Sequence, residues 1–261
     1  MPLITANDIQ TSYVEKGNGF PLILLHGLSD DLNLWSPLLP TLSGRWRTIA
    51  LDIRGHGHSG KPEAPYSIGQ FSDDLLAFMR GMEIERAHLL GLSMGAAVAQ
   101  QFAIDHPGKT GSLVLLSAFD HADDYFKARL LGLRDRLLKE GVAGFFDEAV
   151  KLVVSVEFIS RYSAAIEDSR KYCVSINSAP ALVRAIDACL KFDVRTKVSS
   201  ISSRMLVISG KEDVFSRVNL AEDLHRSVRG SKWLVMDGVG HNVLTPENVD
   251  PLGQAILTFL S

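Results

Sequence analysis

Short apolar runs recur along the chain, and within them the residues do not alternate with polar ones. They are Leu22–Leu25, Thr48–Leu51, Ala87–Leu90, Leu113–Leu116, Met205–Ile208 and Trp233–Met236. A continuous run of this kind suits a strand buried on both faces, as in a parallel sheet covered by helices. Amphipathic segments fall between most of them: Phe71–Met79, Ala96–Ile104 and Leu220–Val228. The alternation of strand and helix predicts an α/β fold with an open, mostly parallel central sheet flanked by helices. Ahead of it, Leu3–Thr5 and Ile9–Tyr13 flank Asn7-Asp8, a turn signal, and predict an antiparallel hairpin on the sheet edge.

One interval breaks the rhythm. Between Leu116 and Met205 the strand pattern disappears for much longer than a single crossover helix needs. Phe126, Leu130, Leu133 and Leu137 recur at helical spacing within Tyr125–Lys139, and Val142–Val153, Phe158–Glu167 and Ala181–Leu190 predict further helices, with Ala179-Pro180 marking a start. The pattern predicts a helical cap over residues 120–192, inserted into a core made of residues 1–119 and 193–261. Ligands on open α/β sheets bind beyond the C-terminal ends of the strands. An insertion leaving from that end of Leu113–Leu116 would cover such a site.

Composition narrows the function classes. At 261 residues, 46% hydrophobic and 22% charged, the chain can bury a sizeable core. Its net charge of −3 gives no field favouring nucleic acid or an anionic membrane. Cys173 and Cys189 have no metal-ligand spacing and read as buried free thiols. Met1–Gln10 lacks the basic and apolar segments of a secretory signal, and no apolar stretch is long enough to span a bilayer. The expectation is a cytoplasmic protein with neither nucleic-acid nor membrane partners; the oligomeric state is left open.

Candidate chemistry starts at Gly91-Leu92-Ser93-Met94-Gly95, a G-x-S-x-G segment between an apolar strand and a helix. That context suits a strained strand–turn–helix corner that exposes a serine hydroxyl above the sheet. The hydroxyl needs a base, and the base needs a carboxylate. His241 follows the last strand in Gly238-Val239-Gly240-His241, and Asp213 follows the preceding strand in Gly210-Lys211-Glu212-Asp213. The candidate set is Ser93, Asp213 and His241, each beyond a different strand. A tetrahedral intermediate also needs donors for its oxyanion. The Met94 N–H at a helix start and the Leu28 N–H in His26-Gly27-Leu28 are the expected pair, with His26 bracing the loop. Trp35 and Phe119 are candidates for the acyl pocket, or else core. Asp120 and Asp123, after Leu113–Leu116, are weaker candidates for the acid. Gly55–Gly60 matches G-x-G-x-x-G, but Lys61-Pro62 and Ala64-Pro65 prevent the helix that a dinucleotide site requires. His56 and His58 lack the companions of a metal site. No cofactor and no metal are expected.

Over nearly its full length the chain resembles the α/β-hydrolase fold superfamily. His26-Gly27 is similar to its oxyanion motif, Asp52–Ser59 to its D-x-R-G-x-G-x-S segment and Gly91–Gly95 to its nucleophile elbow, while Asp213 and His241 fall where the family places its acid and base. The resemblance implies a cofactor-free serine hydrolase with a helical cap, most similar to small carboxylesterases, enol-lactonases and serine-dependent perhydrolases. It implies cleavage of small to medium carboxylic esters or lactones through an acyl-enzyme. Perhydrolysis or carbon–carbon bond hydrolysis on the same residues, or a ligand receptor on a hydrolase scaffold, are the alternatives.

Overall fold

A computed structural model describes residues 1–261. Eight strands form one sheet in the order β1-β2-β4-β3-β5-β6-β7-β8. β1 (Leu3–Ala6) and β2 (Ile9–Lys16) make the expected edge hairpin, and Asn7 takes the left-handed conformation (φ 53°) that closes its two-residue turn. β2 also runs antiparallel to β4 (Arg47–Leu51). The remaining pairings are parallel: β4 with β3 (Pro21–Leu25), β3 with β5 (Ala87–Leu92), then β6 (Thr110–Leu116), β7 (Met205–Gly210) and β8 (Lys232–Met236).

Uniformly apolar strands are used here on both faces. Ile23, Leu25, Leu89, Leu113 and Val207 pack against one helix layer, formed by α2 (Ile68–Gly81), α3 (Met94–Asp105) and α8 (Val218–Ser227). Their immediate neighbours Leu22, Leu24, Leu90, Val114 and Ile208 point the other way, onto α1 (Leu39–Leu42) and α9 (Val249–Leu260). All ten of these strand side chains are buried, and each contributes about 1.5–3 kcal/mol relative to exposure. β8 departs from the expectation of two-sided burial. As the outer strand it has one uncovered flank, and its residues are exposed or half-buried.

Between β6 and β7 the chain makes four helices: α4 (Asp124–Val153), α5 (Val156–Arg161), α6 (Ser163–Ile176) and α7 (Ala179–Leu190). Asp123 caps α4, its side chain accepting from the Phe126 N–H at 2.8 Å. Gly141 (φ 69°) interrupts α4 and divides it into the two segments expected from the pattern. The helix expected over Phe158–Glu167 is in fact two, because Tyr162 is non-helical and ends α5 before α6 begins. α9 has no counterpart among the expected elements. Its apolar face is short, and only packing beside α1 on the sheet makes it a core helix. Cys173 and Cys189 are free and buried, and burial pushes both thiols up to about 12.

Candidate active site

The turn joining β5 to α3 is shaped by two glycines with no room for a side chain. A Cβ on Gly91 would overlap the Gly95 carbonyl, and one on Gly95 would overlap the carbonyls of Leu25 and His26. The contact at Gly95 draws the start of α3 against the end of β3. Ser93 is thereby forced to φ 52°, ψ −111°, a strained conformation for a residue bearing a Cβ, costing on the order of 1–3 kcal/mol. The β5 neighbour resists that strain, since the Ser93 N–H donates to the Leu116 carbonyl at 2.9 Å.

His241 and Asp213 arrive from the next two strand ends. Gly210 ends β7, and a Cβ there would overlap the carbonyls of Val239 and Gly240. Its absence lets the loop carrying His241 settle onto the loop carrying Asp213. The result is a continuous line of contacts. Ser93 Oγ lies 2.9 Å from His241 Nε2, and His241 Nδ1 lies 2.7 Å from Asp213 Oδ2. All three residues are buried. In this arrangement the Nδ1–H donates to the carboxylate and leaves Nε2 free to accept the serine proton.

Asp213 is held by more than the imidazole. Its Oδ1 accepts from the N–H groups of Phe215 (2.8 Å) and Ser216 (3.0 Å), and its Oδ2 accepts from the Ser216 hydroxyl (2.8 Å). Burial raises the carboxyl, but the His241 charge and these hydrogen bonds outweigh it and leave the group below its ordinary value. The Ser216 Oγ also lies 3.2 Å from His241 Nδ1, and the Phe215 ring stands edge-on to the imidazole at 5.0 Å. The Ser117 hydroxyl donates to the His241 carbonyl. Ser216, Phe215 and Ser117 were not anticipated from sequence. Their types are common and their roles exist only once three loops have met; an Asp followed two and three residues later by amide donors was the one local sign.

The other candidates fall into place around this line. Met94 is the first residue of α3, where an N–H lacks an intrahelical partner. Leu28 sits half-buried in the turn after β3. His26 is fully buried and accepts at Nε2 from the Ile53 N–H (2.9 Å), with Nδ1 2.7 Å from the Gly27 carbonyl. Burial holds it and His56 below the ordinary imidazole value, His56 at about 3, so both are neutral braces. The Asp52–Ser59 segment is likewise a strut. Asp52 accepts from the Leu32 and His58 N–H groups, both at 2.8 Å, and Arg54 forms paired bonds to Asp74 at 2.6 and 2.8 Å. His58 joins no group of ligands, and no cluster of His, Cys, Asp and Glu that could hold a metal is formed.

Asp120 and Asp123 do not approach His241. Asp120 faces His121 at 2.7 Å, and Asp123 caps α4 and pairs with Arg217. Trp35 and Phe119 are buried in the core, the alternative reading of both. Trp35 is enclosed with Leu38 and Leu42 on the α1 and α9 side of the sheet. Phe119 packs edge-on with Phe126 (4.8 Å) and Phe192 (5.8 Å), and Phe126 in turn meets Phe215, the ring beside the imidazole. Large aromatics next to a site in sequence were drawn into the layers between sheet and helices, where burial is greatest.

The inserted helices touch the loops that follow β3, β7 and β8. The Tyr172 hydroxyl donates to Asp31 Oδ2 (2.5 Å), and Asn177 Nδ2 donates to the Ser29 carbonyl (2.9 Å). The Tyr125 hydroxyl donates to the Val214 carbonyl (2.8 Å), next to Asp213, and the Asn242 N–H donates to the Val153 carbonyl (2.9 Å), next to His241. A cavity of about 280 Å³ opens between α5 and the histidine loop, bordered by Phe158, Tyr162, Val239 and Asn242.

The architecture and the loop geometry are those of the α/β-hydrolase fold. A family model described as alpha/beta hydrolase fold matches residues 21–147. Among curated relatives, a candidate carbamate hydrolase, RutD, of Caulobacter sp. (strain K31) is 25% identical over 92% of this chain and 90% of its own. 3-Oxoadipate enol-lactonase 2 of Acinetobacter baylyi (strain ATCC 33305 / BD413 / ADP1) is 27% identical over 82% of this chain and 80% of its own. Among solved structures, the enol-lactonase from Burkholderia xenovorans LB400 superposes with a TM-score of 0.90 at 24% identity, covering 99% of each chain.

Proposed function

We propose that the chain is a serine hydrolase of small to medium carboxylic esters or lactones. Ser93 is the nucleophile, His241 the general base and Asp213 the acid that orients it. The observation that carries this reading is the unbroken relay from Ser93 Oγ through His241 to Asp213, at 2.9 and 2.7 Å. Attack on the carbonyl passes the serine proton to Nε2. The imidazolium that results faces a carboxylate held ionised by four donors. The N–H groups of Leu28 and Met94 receive the oxyanion. The leaving alkoxide takes the proton from Nε2, an acyl-enzyme remains, and water repeats the sequence with His241 again as base.

Residues 120–192 act as a cap over a core of residues 1–119 and 193–261. Their contacts with Ser29, Asp31, Val214 and Asn242 support this role. Such a lid excludes water and shapes the acyl site. The names carried by the curated relatives favour a second substrate class on the same relay, the carbamates, whose carbonyl is attacked in the same way.

The deciding experiment uses a graded panel of p-nitrophenyl esters, lactones and carbamates on the wild type and on Ser93→Ala. The variant is expected to stay folded by circular dichroism and to lose on the order of 10³-fold or more in kcat. Undiminished turnover by Ser93→Ala would refute the assignment.

A further inference from the structure

The turn after β3 carries a carboxylate that the mechanism above does not use. Asp30 Oδ2 would stand 2.9 Å from a Cβ on Gly27, and the same Cβ would lie 3.7 Å from the Leu92 carbonyl, one residue before Ser93. The carboxylate therefore lies against the turn that contributes the Leu28 N–H. Its neighbour Asp31 is fully engaged, accepting from the Asn33 N–H, the Asn33 amide and the Tyr172 hydroxyl. Asp30 forms no ion pair, and the Gly27 amide and His241 favour its ionised form. Burial first, and the like charge of Asp31 second, raise its carboxyl to about 7, with His241 opposing.

α6 brings more acceptors to this turn and no cation. Cys173 lies close enough for Asp30 to add to the rise that burial imposes on its thiol. Asn177 uses Nδ2 on the carbonyls of Ser29 (2.9 Å) and Cys173 (3.1 Å), and its Oδ1 is buried without a partner. Asp30 and Asn177 thus bring a carboxylate and an amide oxygen to the turn after β3. A neutral acyl group placed there would leave a partly buried charge unpaired, which is costly. The same charge would also oppose the oxyanion forming at the adjacent turn. A cation in the substrate removes both penalties.

We propose that Asp30 is a specificity-determining residue that receives a cationic group on the acyl part of the substrate, so that the site prefers esters or lactones with an ammonium near the reacting carbonyl. This rests on the serine hydrolase reading. The test compares two p-nitrophenyl esters, one with an acyl chain ending in trimethylammonium and one with the isosteric chain ending in tert-butyl. Taking the ratio of their kcat/KM values cancels the ionisation of His241. In the wild type the ratio is expected to favour the cation on the order of ten-fold at about pH 8.5, where Asp30 is ionised, and to fall toward parity at about pH 6, where it is protonated. Asp30→Asn is expected to show a ratio near one at both pH values. A wild-type ratio at or below one at the higher pH, or an Asp30→Asn ratio equal to the wild type's, overturns the proposal. If neither ester is cleaved, labelling by a fluorophosphonate separates the causes. Labelled Ser93 overturns this inference alone, and unlabelled Ser93 overturns the hydrolase reading with it.

Discussion

Around Ser93 the backbone itself is the scaffold, whereas along α5 and α6 side chains at the surface hold the chain. At the elbow, Gly91, Gly95 and Gly210 let main chain touch main chain, and the residues they position are buried. α5 buries no residue and α6 buries only Cys173. The outer helices are tied instead by surface pairs such as Arg161–Glu247 and Arg170–Asp147, and by the hydroxyls of Tyr162 and Tyr172. Exposed pairs of this kind contribute little, because water competes for both charges. The region that brings Ser93, His241 and Asp213 together is fixed by close main-chain contacts. The outer helices of the insertion have few buried residues, which suits the movable lid of the proposed function.

Substitutions can break this contrast, beginning with the strongest. Asp213→Asn should leave the fold intact and lower kcat by about 10⁴-fold, because an amide holds the imidazole in the wrong tautomer; a loss below about ten-fold in steady-state assays would transfer the acid's role elsewhere. The same variant reports on pH. Asp213 is held below its ordinary value in the fold, so it stabilises the native state fully above the unfolded carboxyl value of about 3.9, and that stability is lost as pH falls through the folded value. The difference in melting temperature between wild type and Asp213→Asn should therefore shrink on acidification below about pH 4.

Gly95→Ala should come next, destabilising by on the order of 3 kcal/mol or more in denaturant unfolding, since the new methyl meets the Leu25 and His26 carbonyls and no flexible side chain can yield. On the lid, Tyr172→Phe removes the bond to Asp31 and leaves the ring. KM should rise roughly two- to five-fold with kcat nearly constant, since the bond orders the cap and does not touch the reacting atoms. Arg170→Ala should be smallest, with no measurable change in melting temperature or kcat/KM; a clear loss there would mean the outer helices are held as firmly as the elbow.

The same contrast explains what was legible beforehand. Strands β3 to β7 announce themselves because two-sided burial demands unbroken apolar runs. The elbow is legible because its strain admits only glycine on either side of the serine. The outer cap is less so. A periodic pattern through Phe158–Glu167 continues across Tyr162, where the helix stops, because that amphipathic signal does not report the bend that docking requires. Trp35 and Phe119 look like pocket residues from their place in the chain, and lie instead in core layers. Asp30 gave no signal and Ser216 only its place three residues after Asp213, since an ordinary serine and an ordinary aspartate acquire meaning from what stands opposite them.

From the sequence alone come the alternation of strand and helix, the interruption by a helical insertion, and the three residue types beyond three strand ends. These follow from local rules: burial sets apolar runs, and a strained turn demands glycine. The tertiary structure decided the rest: which acid meets His241, which aromatics are core, how the insertion bends onto the loops, and which carboxylate lies against Gly27. Those outcomes depend on contacts between segments remote in the chain, and such contacts are fixed only when the backbones close on one another.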